Sequence, residues 1–588
     1  MCGINVIYNS TKIKDDFVYR IQEMNQEMQY RGPDAESIMS FDKLILGHVR
    51  LSIIGIENGE QPIVNETTSI YLVCNGEIYN YLSLKADLEK KGHVFSTNSD
   101  SEVIVHLYEE YGKDLCKYLK GMFAFVLWDT QKELLFCARD YWGKKPLYYS
   151  NTSSGLVVSS EIKTIVRSFK DQISKNKKYL SEILAFSYPI TNDITPFNEV
   201  SKLPSGHFLL VSKDSILVEK YEVKSMPYLF DSSTYKKTTV DLIRESIHCR
   251  LQADVPVAVM LSGGIDSSTI AYFSKEFMQE VNVISVGYKG DFKHIDERSV
   301  AKKFSKEIGL KYHDIELTNQ DFKNYFEEYL SVMNEPVADP SAFAQWAVYK
   351  KSSELGFKVL LSGNGGDEIF YGYSNFNQLG TKLNNFSSLH KYFSSTNNLK
   401  LLPYLIRFLT YNLNKINYIS PTDIDKALFN NKDFSFADYK LFHNENYASF
   451  NFSGSYFHNS SNGIENVYNF LQNTWLINNC FYLGDQLGMG NSIEIRCPFA
   501  DIDLFNFLQQ IPLDLKFDKN RTKPLLKDVM TGKLPDYILN PQKKGFSPPY
   551  DYIIELYRGK YGNTLQKNFT HYNEFVLDSY LNKFIEKF

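Results

Sequence analysis

Over the first third of the chain, apolar and polar positions alternate in short runs rich in β-branched and aromatic residues, each broken by Gly or Asn. "KLILGHVRLSIIG", "SIYLVCNGEIYN", "GMFAFVLWDT", "ELLFCARD", "PLYYS" and "GLVVSSE" are such runs, and each reads as a strand. Two segments switch to helical spacing. "NYLSLKADLEKKG" ends at Gly92, and "SEVIVHLYEEYG" has Ser99 or Asp100 placed to cap it. Many strands with few helices predict stacked antiparallel sheets, helices outside.

Beyond "LPSGHFLLVSKDSILVEKYEVK" the period changes. Residues 235–252 read as an amphipathic helix. "VPVAVML" then leads through a Gly-rich turn into "SSTIAYFSKEF". "VNVISVGY" precedes the helix "ERSVAKKFSKEIG", and "FKVLLSG" precedes a second Gly-rich turn. This repetition predicts a parallel sheet, with ligands at the carboxyl ends of its strands. Residues 375–470, rich in Asn, Ser, Phe, Tyr and Lys, read as helices joined by polar loops and carry no recognisable chemistry.

Length and charge narrow the picture. At 588 residues the chain needs two or more cores. A net charge of −5 gives no general field for nucleic acid or an anionic membrane. The seven cysteines are odd in number and include no CxxC pair, so neither a disulfide framework nor a zinc ribbon fits. No apolar run reaches the ~18–20 residues of a membrane span. "MCGINVIYNSTKIKDDF" is not a secretory signal. The expectation is a reduced, cytoplasmic protein.

Two features carry candidate chemistry. Cys2 directly follows Met1. Once Met1 is removed, the Cys2 thiol and a free α-amine form a compact nucleophile–base pair, and an α-amine, with a pKa near ~7.7–8.0, far below lysine's, is in good part neutral at working pH. The competing reading is a small residue at a frayed end. The second feature is "AVMLSGGIDSST". An apolar strand ends at Leu261, Gly263 and Gly264 allow a tight turn, and Ser267 and Ser268 open a helix. That is the layout of a phosphate cradle. It lacks the GxxxxGK[ST] pattern, and Asp266 within the turn calls for Mg²⁺ between carboxylate and phosphate. "KVLLSGNGGDEIFYGY" repeats the design with Ser362, Gly363, Gly365, Gly366 and Asp367. Neighbouring parallel strands would bring Asp367 beside Asp266.

The ordered motifs resemble those of the glutamine-dependent asparagine synthetase family, over most of the chain. In the first half these are "MCGI", "RGPD", "GHVRLSI", "NGEIYN", "SDSEV", "ARDYWGKKPLYY" and "SSEIKTI". In the second they are "LSGGIDSS", "ISVGY", "DERSVAKKF", "EPVADPSAF", "LSGNGGDE", "NSIEIRCPFADIDLF" and "KKGFSPPY". The resemblance implies an α+β glutaminase domain over residues 2–210, of the N-terminal-nucleophile type, and an α/β ATP-pyrophosphatase-type domain over residues 235–588.

The same resemblance implies roles. Cys2 would attack glutamine's side-chain amide, Arg50 grip its α-carboxylate, and Glu77 and Asp100 take its α-ammonium. Asn75 and the Gly76 N–H would form the oxyanion hole. Cys74 reads as core. Leu261, Ser262, Gly263, Gly264, Asp266, Ser267, Val286, Ser362 and Gly363 would surround ATP, with Asp266 and Asp367 on Mg²⁺ and Lys543, or Lys544, neutralising phosphate charge. Arg496 and Asp501 are expected to form a buried ion pair bracing the site. The implied reaction is ATP-dependent amidation of aspartate, through an acyl-adenylate, with ammonia from glutamine. The alternative acceptor is another carboxylate, such as a sugar acid or a peptide. Partners are small molecules only, with neither nucleic acid nor membrane, and a homodimer is compatible with the family. One departure stands out: Asn364 lies where such synthetases usually carry an acidic residue.

Overall fold

A computed structural model of the chain describes residues 2–378, except 15, 153–154, 170–172, 214, 225–227, 290–297 and 340. It further describes residues 380–381, 384, 462–540, 549, 552–553 and 555–556. The chain divides into two compact units. The first comprises Met1–Ile369, Thr474–Leu515 and Leu525–Phe588, and the second Phe370–Asn473 and Lys516–Pro524. In the second, the Tyr468 ring packs at a tilt against Tyr371, ring centroids 4.5 Å apart, and its hydroxyl donates to the Asn377 Oδ1 at 2.7 Å. Most of the segment 375–470 lies outside the described residues. Every described candidate residue lies in the first unit.

That unit opens with twelve strands: β1 (Cys2–Tyr8), β2 (Ala35–Ser40), β3 (Leu44–Arg50), β4 (Ile63–Val64), β5 (Ile70–Ile78), β6 (Gly121–Asp129), β7 (Leu134–Arg139), β8 (Tyr148–Thr152), β9 (Gly155–Ser159), β10 (Ser201–Lys202), β11 (His207–Val211) and β12 (Ile216–Lys220). They form two six-stranded sheets, in the orders β10-β8-β9-β1-β3-β2 and β12-β11-β7-β6-β5-β4. All pairings within them are antiparallel. Each strand run predicted above is found.

Alternation along each strand builds the layers. Ile4 and Val6 of β1, Leu44 and Leu46 of β3, Val73 of β5 and Val126 of β6 share one core between the sheets. The opposite faces bury themselves under helices. Leu72, Cys74 and Phe125 meet Leu88, Ile104 and Leu107 on one side. Ile7 and Ile45 meet Phe17, Ile21 and Ile165 on the other. The result is a four-layer sandwich, sheets inside and helices outside.

The second half contributes a five-stranded parallel sheet, in the order β15-β14-β13-β16-β17. Its strands are β13 (Val257–Met260), β14 (Asn282–Tyr288), β15 (Lys311–Leu317), β16 (Val359–Leu361) and β17 (Glu494–Arg496). All four pairings are parallel. The helices Tyr235–Arg250, Ile265–Phe277 and Arg298–Ile308 alternate with the strands, so the fold is the expected α+β half followed by an α/β half. No described helix is long and apolar enough to cross a membrane.

Candidate active sites

Cys2 is not at a frayed end. It is 6% exposed and pairs with Arg50 across β1 and β3. Period-two alternation places Cys2 on the face that carries Ile4 and Val6, and Arg50 on the face of Leu44 and Leu46. Asn75 and Glu77 share the Val73 face of β5. All four therefore turn into the layer between the two sheets, at one end of its apolar core. Cys74, one residue out of phase, falls in the opposite core, and burial pushes its thiol far above the ordinary range. That protonated thiol is poorly suited to attack.

The main-chain nitrogen of Cys2 donates to Asn75 Oδ1 at 3.0 Å. Asn75 is completely buried, and its Nδ2 has no hydrogen-bond partner among the described residues. A buried amide donor left unspent beside a thiol is a stored capacity to bind an anion. Gly76 is required by close approach: a Cβ there would lie 2.2 Å from the Met122 carbonyl oxygen on β6.

Arg50 donates to the carbonyl oxygens of Gly55, at 2.7 Å, and Ile54, at 3.3 Å. It has no carboxylate partner among the described residues. Glu77 and Asp100 are both buried. Burial, reinforced by Asp100, pushes the Glu77 carboxyl well above the usual range. Burial pushes Asp100 up to about 6, although its Oδ2 accepts from the Ile78 N–H at 2.6 Å. A cation entering between these carboxyls would relieve both penalties. Ser99, rather than Asp100, caps the turn that presents Asp100, its Oγ accepting from the Ser101 N–H.

The expected Arg496–Asp501 pair is absent. Arg496 ion-pairs with Glu494 at 2.5 Å and with Glu77 at 3.2 Å, and donates to the carbonyls of Arg250 and Gln252. Burial works against its charge, but Glu494 and Glu77 more than offset this, so its pKa is raised. Asp501 instead caps the helix Ile502–Gln510 and pairs with Arg250 at 3.1 Å. Arg496 thus brings a charge from the parallel sheet into the pocket of Glu77. Sequence reasoning missed this role because partners on different domains leave no spacing signal.

Arg31 of "RGPD" makes a second link. It donates to the Cys2 carbonyl at 3.2 Å and pairs with Glu161 at 3.3 Å and Asp485 at 2.8 Å. Lys145 reaches the other oxygen of Asp485 at 3.3 Å. All four side chains are buried.

The second group lies at the strand ends of the parallel sheet. After β13, Gly263 adopts φ +79°, a left-handed conformation suited to glycine. Ser262 and Ser267 join hydroxyls at 3.1 Å, and the Gly264 N–H donates to Ser262 Oγ at 3.3 Å. Leu261 is buried and Val286 half-buried on neighbouring β14. Because β13 pairs with β16, the second Gly-rich turn stands beside the first. A Cβ at Gly366 would lie 2.7–3.1 Å from the Asp266 carboxyl group, so only glycine admits that carboxylate against the turn holding Ser362, Gly363 and Asp367. Asp266 and Asp367 are each half-buried, in the first turns of adjacent helices. Asn364 donates its N–H to Ser362 Oγ at 3.3 Å. Lys543 and Lys544 lie outside the described residues.

Two family descriptions cover the chain: a glutamine amidotransferase domain over residues 1–222 and asparagine synthase over residues 238–587. Together with the two sites, they define a ligase that draws its nitrogen from glutamine. Glutamine-hydrolyzing asparagine synthetase 1 of Bacillus subtilis (strain 168) is 30% identical over 563 residues, covering 93% of this chain and 87% of that protein. Glutamine-hydrolyzing asparagine synthetase 3 of the same organism is 28% identical over 94% of this chain and 88% of its own length. A putative glutamine-hydrolyzing asparagine synthetase 2 of Methanocaldococcus jannaschii is 34% identical over 63% of this chain and 76% of its own. The chain belongs to the glutamine-hydrolysing asparagine synthetase family.

Proposed function

We propose that the enzyme amidates free aspartate to asparagine, with residues 2–210 hydrolysing glutamine and residues 235–588 activating the acceptor. The Cys2 thiol attacks the side-chain carbonyl carbon of glutamine, and its proton passes to the Cys2 amine exposed by removal of Met1. Asn75 Nδ2 and the Gly76 N–H receive the oxyanion. Arg50 holds the α-carboxylate, and Glu77 and Asp100 the α-ammonium. Collapse of the tetrahedral intermediate releases ammonia and leaves a thioester, which water hydrolyses to glutamate.

In the second half, the acceptor carboxylate attacks the α-phosphorus of ATP, giving an acyl-adenylate and pyrophosphate. Ammonia then displaces AMP. The turns at Leu261–Ser267 and Ser362–Gly363, with Val286 and Lys543, cradle the nucleotide. Asp266 and Asp367 offer the carboxylate oxygens that Mg²⁺ prefers, and the bound ion would neutralise phosphate charge. Ammonia must travel between the sites shielded from bulk water.

The observation that carries this reading is the buried, unspent Asn75 amide donor beside Cys2. The test supplies ATP, Mg²⁺, aspartate and glutamine labelled with ¹⁵N in its side-chain amide. Labelled asparagine, with AMP and pyrophosphate in equal amounts, is the expected product. Glutamine hydrolysis without asparagine would eliminate aspartate as acceptor.

A further inference from the structure

Away from both sites, the glutaminase half gathers two imidazoles and four carboxylates at the outer edge of its sandwich. They come from three segments: Glu66 in the turn before β5, His93 just beyond the helix Tyr81–Lys90, and His106 and Glu109 one turn apart on the helix Val103–Tyr111. One ligand atom from each of these four residues falls within 4.8 Å of all the others.

Both rings turn Nδ1 to the same point. His93 Nδ1 lies 3.2 Å from Glu66 Oε1 and 3.6 Å from Glu109 Oε2. His106 Nδ1 lies 3.4 Å from Glu66 Oε2 and 3.3 Å from the same Glu109 Oε2. Zinc bonds nitrogen and oxygen at ~2.0–2.2 Å, which sets tetrahedral edges of about 3.3–3.6 Å. The three separations that share one oxygen per carboxylate, 3.2, 3.6 and 3.3 Å, lie near those edges, and His106 Nδ1 meets Glu66 through its other oxygen. A lone Nδ1–H donates well to one oxygen, whereas each Nδ1 here faces two.

The surroundings fit metal ligation as well. Ligating imidazoles usually present their other nitrogen to a carboxylate. His93 Nε2 faces Glu110 Oε1 at 3.3 Å, and His106 Nε2 faces Glu102 Oε1 at 3.7 Å. His106 and Glu102 are fully buried. The two carboxylate ligands are themselves held: Glu109 Oε1 accepts from Asn65 Nδ2 at 2.8 Å, and Glu66 Oε1 from the Val94 N–H at 2.9 Å. Four carboxylates surround two imidazoles, with Lys91 on Glu110, so the cluster carries an excess of negative charge that a divalent cation would reduce.

We propose that Glu66, His93, His106 and Glu109 form a structural site for Zn²⁺. The ion would clip the turn before β5 and the His93 segment to the helix Val103–Tyr111. That segment runs directly to Asp100, and Glu102 already accepts from the Ser96 and Thr97 N–H groups within it. Zinc would therefore fix the approach to the glutamine pocket without taking part in the reaction. Imidazole with carboxylate suits Zn²⁺ over Mg²⁺ or Ca²⁺.

The test uses the full chain, stripped with chelator and kept in excess Mg²⁺ so that oxygen-only sites are saturated. Zn²⁺ is titrated calorimetrically, and Co²⁺ is followed by its visible absorption. The expected result is one equivalent bound, tetrahedral cobalt bands without thiolate charge transfer, and a melting temperature that rises with free Zn²⁺. His93→Gln, at a partly exposed position, removes the equivalent. Glu110→Gln weakens it about 10–100-fold, as loss of an outer partner does elsewhere. No stoichiometric binding, or binding unchanged in both variants, overturns the proposal.

Discussion

Asn75→Ala is the sharpest test of the glutaminase site. The change removes two things: the Oδ1 that holds the Cys2 nitrogen at 3.0 Å, and the buried Nδ2 without a partner. Their effects on folding oppose. Losing the Cys2 hydrogen bond costs about 1 kcal/mol, whereas removing an orphaned buried donor relieves a penalty of about 1–3 kcal/mol. Folding stability should therefore change little. Catalysis should change greatly, because a preorganised oxyanion donor acts only on the transition state. Its loss costs about 2.7–4 kcal/mol, or ~10²–10³ in kcat.

Glutamate release measures this directly, with ammonia-dependent synthesis as the internal control for the second site. Asn75→Asp separates the two functions of the side chain. It keeps an acceptor for the Cys2 nitrogen but puts a carboxylate where the oxyanion develops, so it should be at least as slow as the alanine variant. A glutaminase kcat within tenfold of the parent in Asn75→Ala would refute the assignment of Asn75 as oxyanion donor.

Cys2→Ala should abolish glutamine-dependent synthesis and spare the ammonia-dependent reaction, and glutamine hydrolysis at the parental rate would show another nucleophile. Asp266→Asn and Asp367→Asn should each remove acceptor-dependent pyrophosphate release while basal glutaminase persists; loss of glutaminase alone would mean the two activities are assigned to the wrong halves. Asp100, pushed up to about 6 by burial, binds an ammonium only when ionised, so kcat/KM for glutamine, already declining as the Cys2 amine protonates below ~7.7–8.0, should fall more steeply below about 6, and Asp100→Asn should erase that second inflection. Folding has the opposite dependence: a raised carboxyl pKa favours the folded state at low pH and loses that advantage between about 3.8 and 6, so glutamine should stabilise the protein more at pH 7 than at pH 5. Asn364→Asp should raise the synthetase rate if proton transfer at that position limits it, since general bases contribute ~10²–10⁴-fold; an unchanged rate with unchanged glutaminase would show that position 364 moves no proton.

The period-two runs foretold β3 and β5 to β9, half the strands of the sandwich, because one face of each strand must be buried and the other covered. β1 was not among them: "CGINVIY" is buried on both faces and shows little alternation. Its place inside the sheet is nonetheless what turns Cys2 from a terminal residue into a fixed one. The two Gly-rich turns were legible because tight turns and close approach leave a mark in composition. The proposed metal site was not, since Glu66 and His93 meet His106 only after folding. The visible fragment, His106 and Glu109 at helical spacing, is too common to signal a site. Arg496 and Asp501 show the same limit: nearness in sequence suggested a pair, whereas β17 and the helix after it send them to different partners.

Arg496 also shows why the two halves form one unit. Its carbonyl oxygen accepts from the Ser362 N–H at 2.8 Å, anchoring the second Gly-rich turn. Its guanidinium meets Glu77 at 3.2 Å. One residue of β17 therefore touches the proposed nucleotide turn through its backbone and the proposed glutamine pocket through its side chain. Such a link offers little net gain in stability, because desolvation consumes much of the attraction within a buried pair. What it supplies is registration. The charge of Glu77 is compensated only when β17 is in place beside β16, so a well-formed glutamine pocket requires a well-formed parallel sheet. Arg31 imposes the same condition from the other direction, holding the Cys2 carbonyl with one nitrogen and Asp485 with another. An enzyme that releases ammonia at one site for use at another has reason to build the first site partly from the residues of the second.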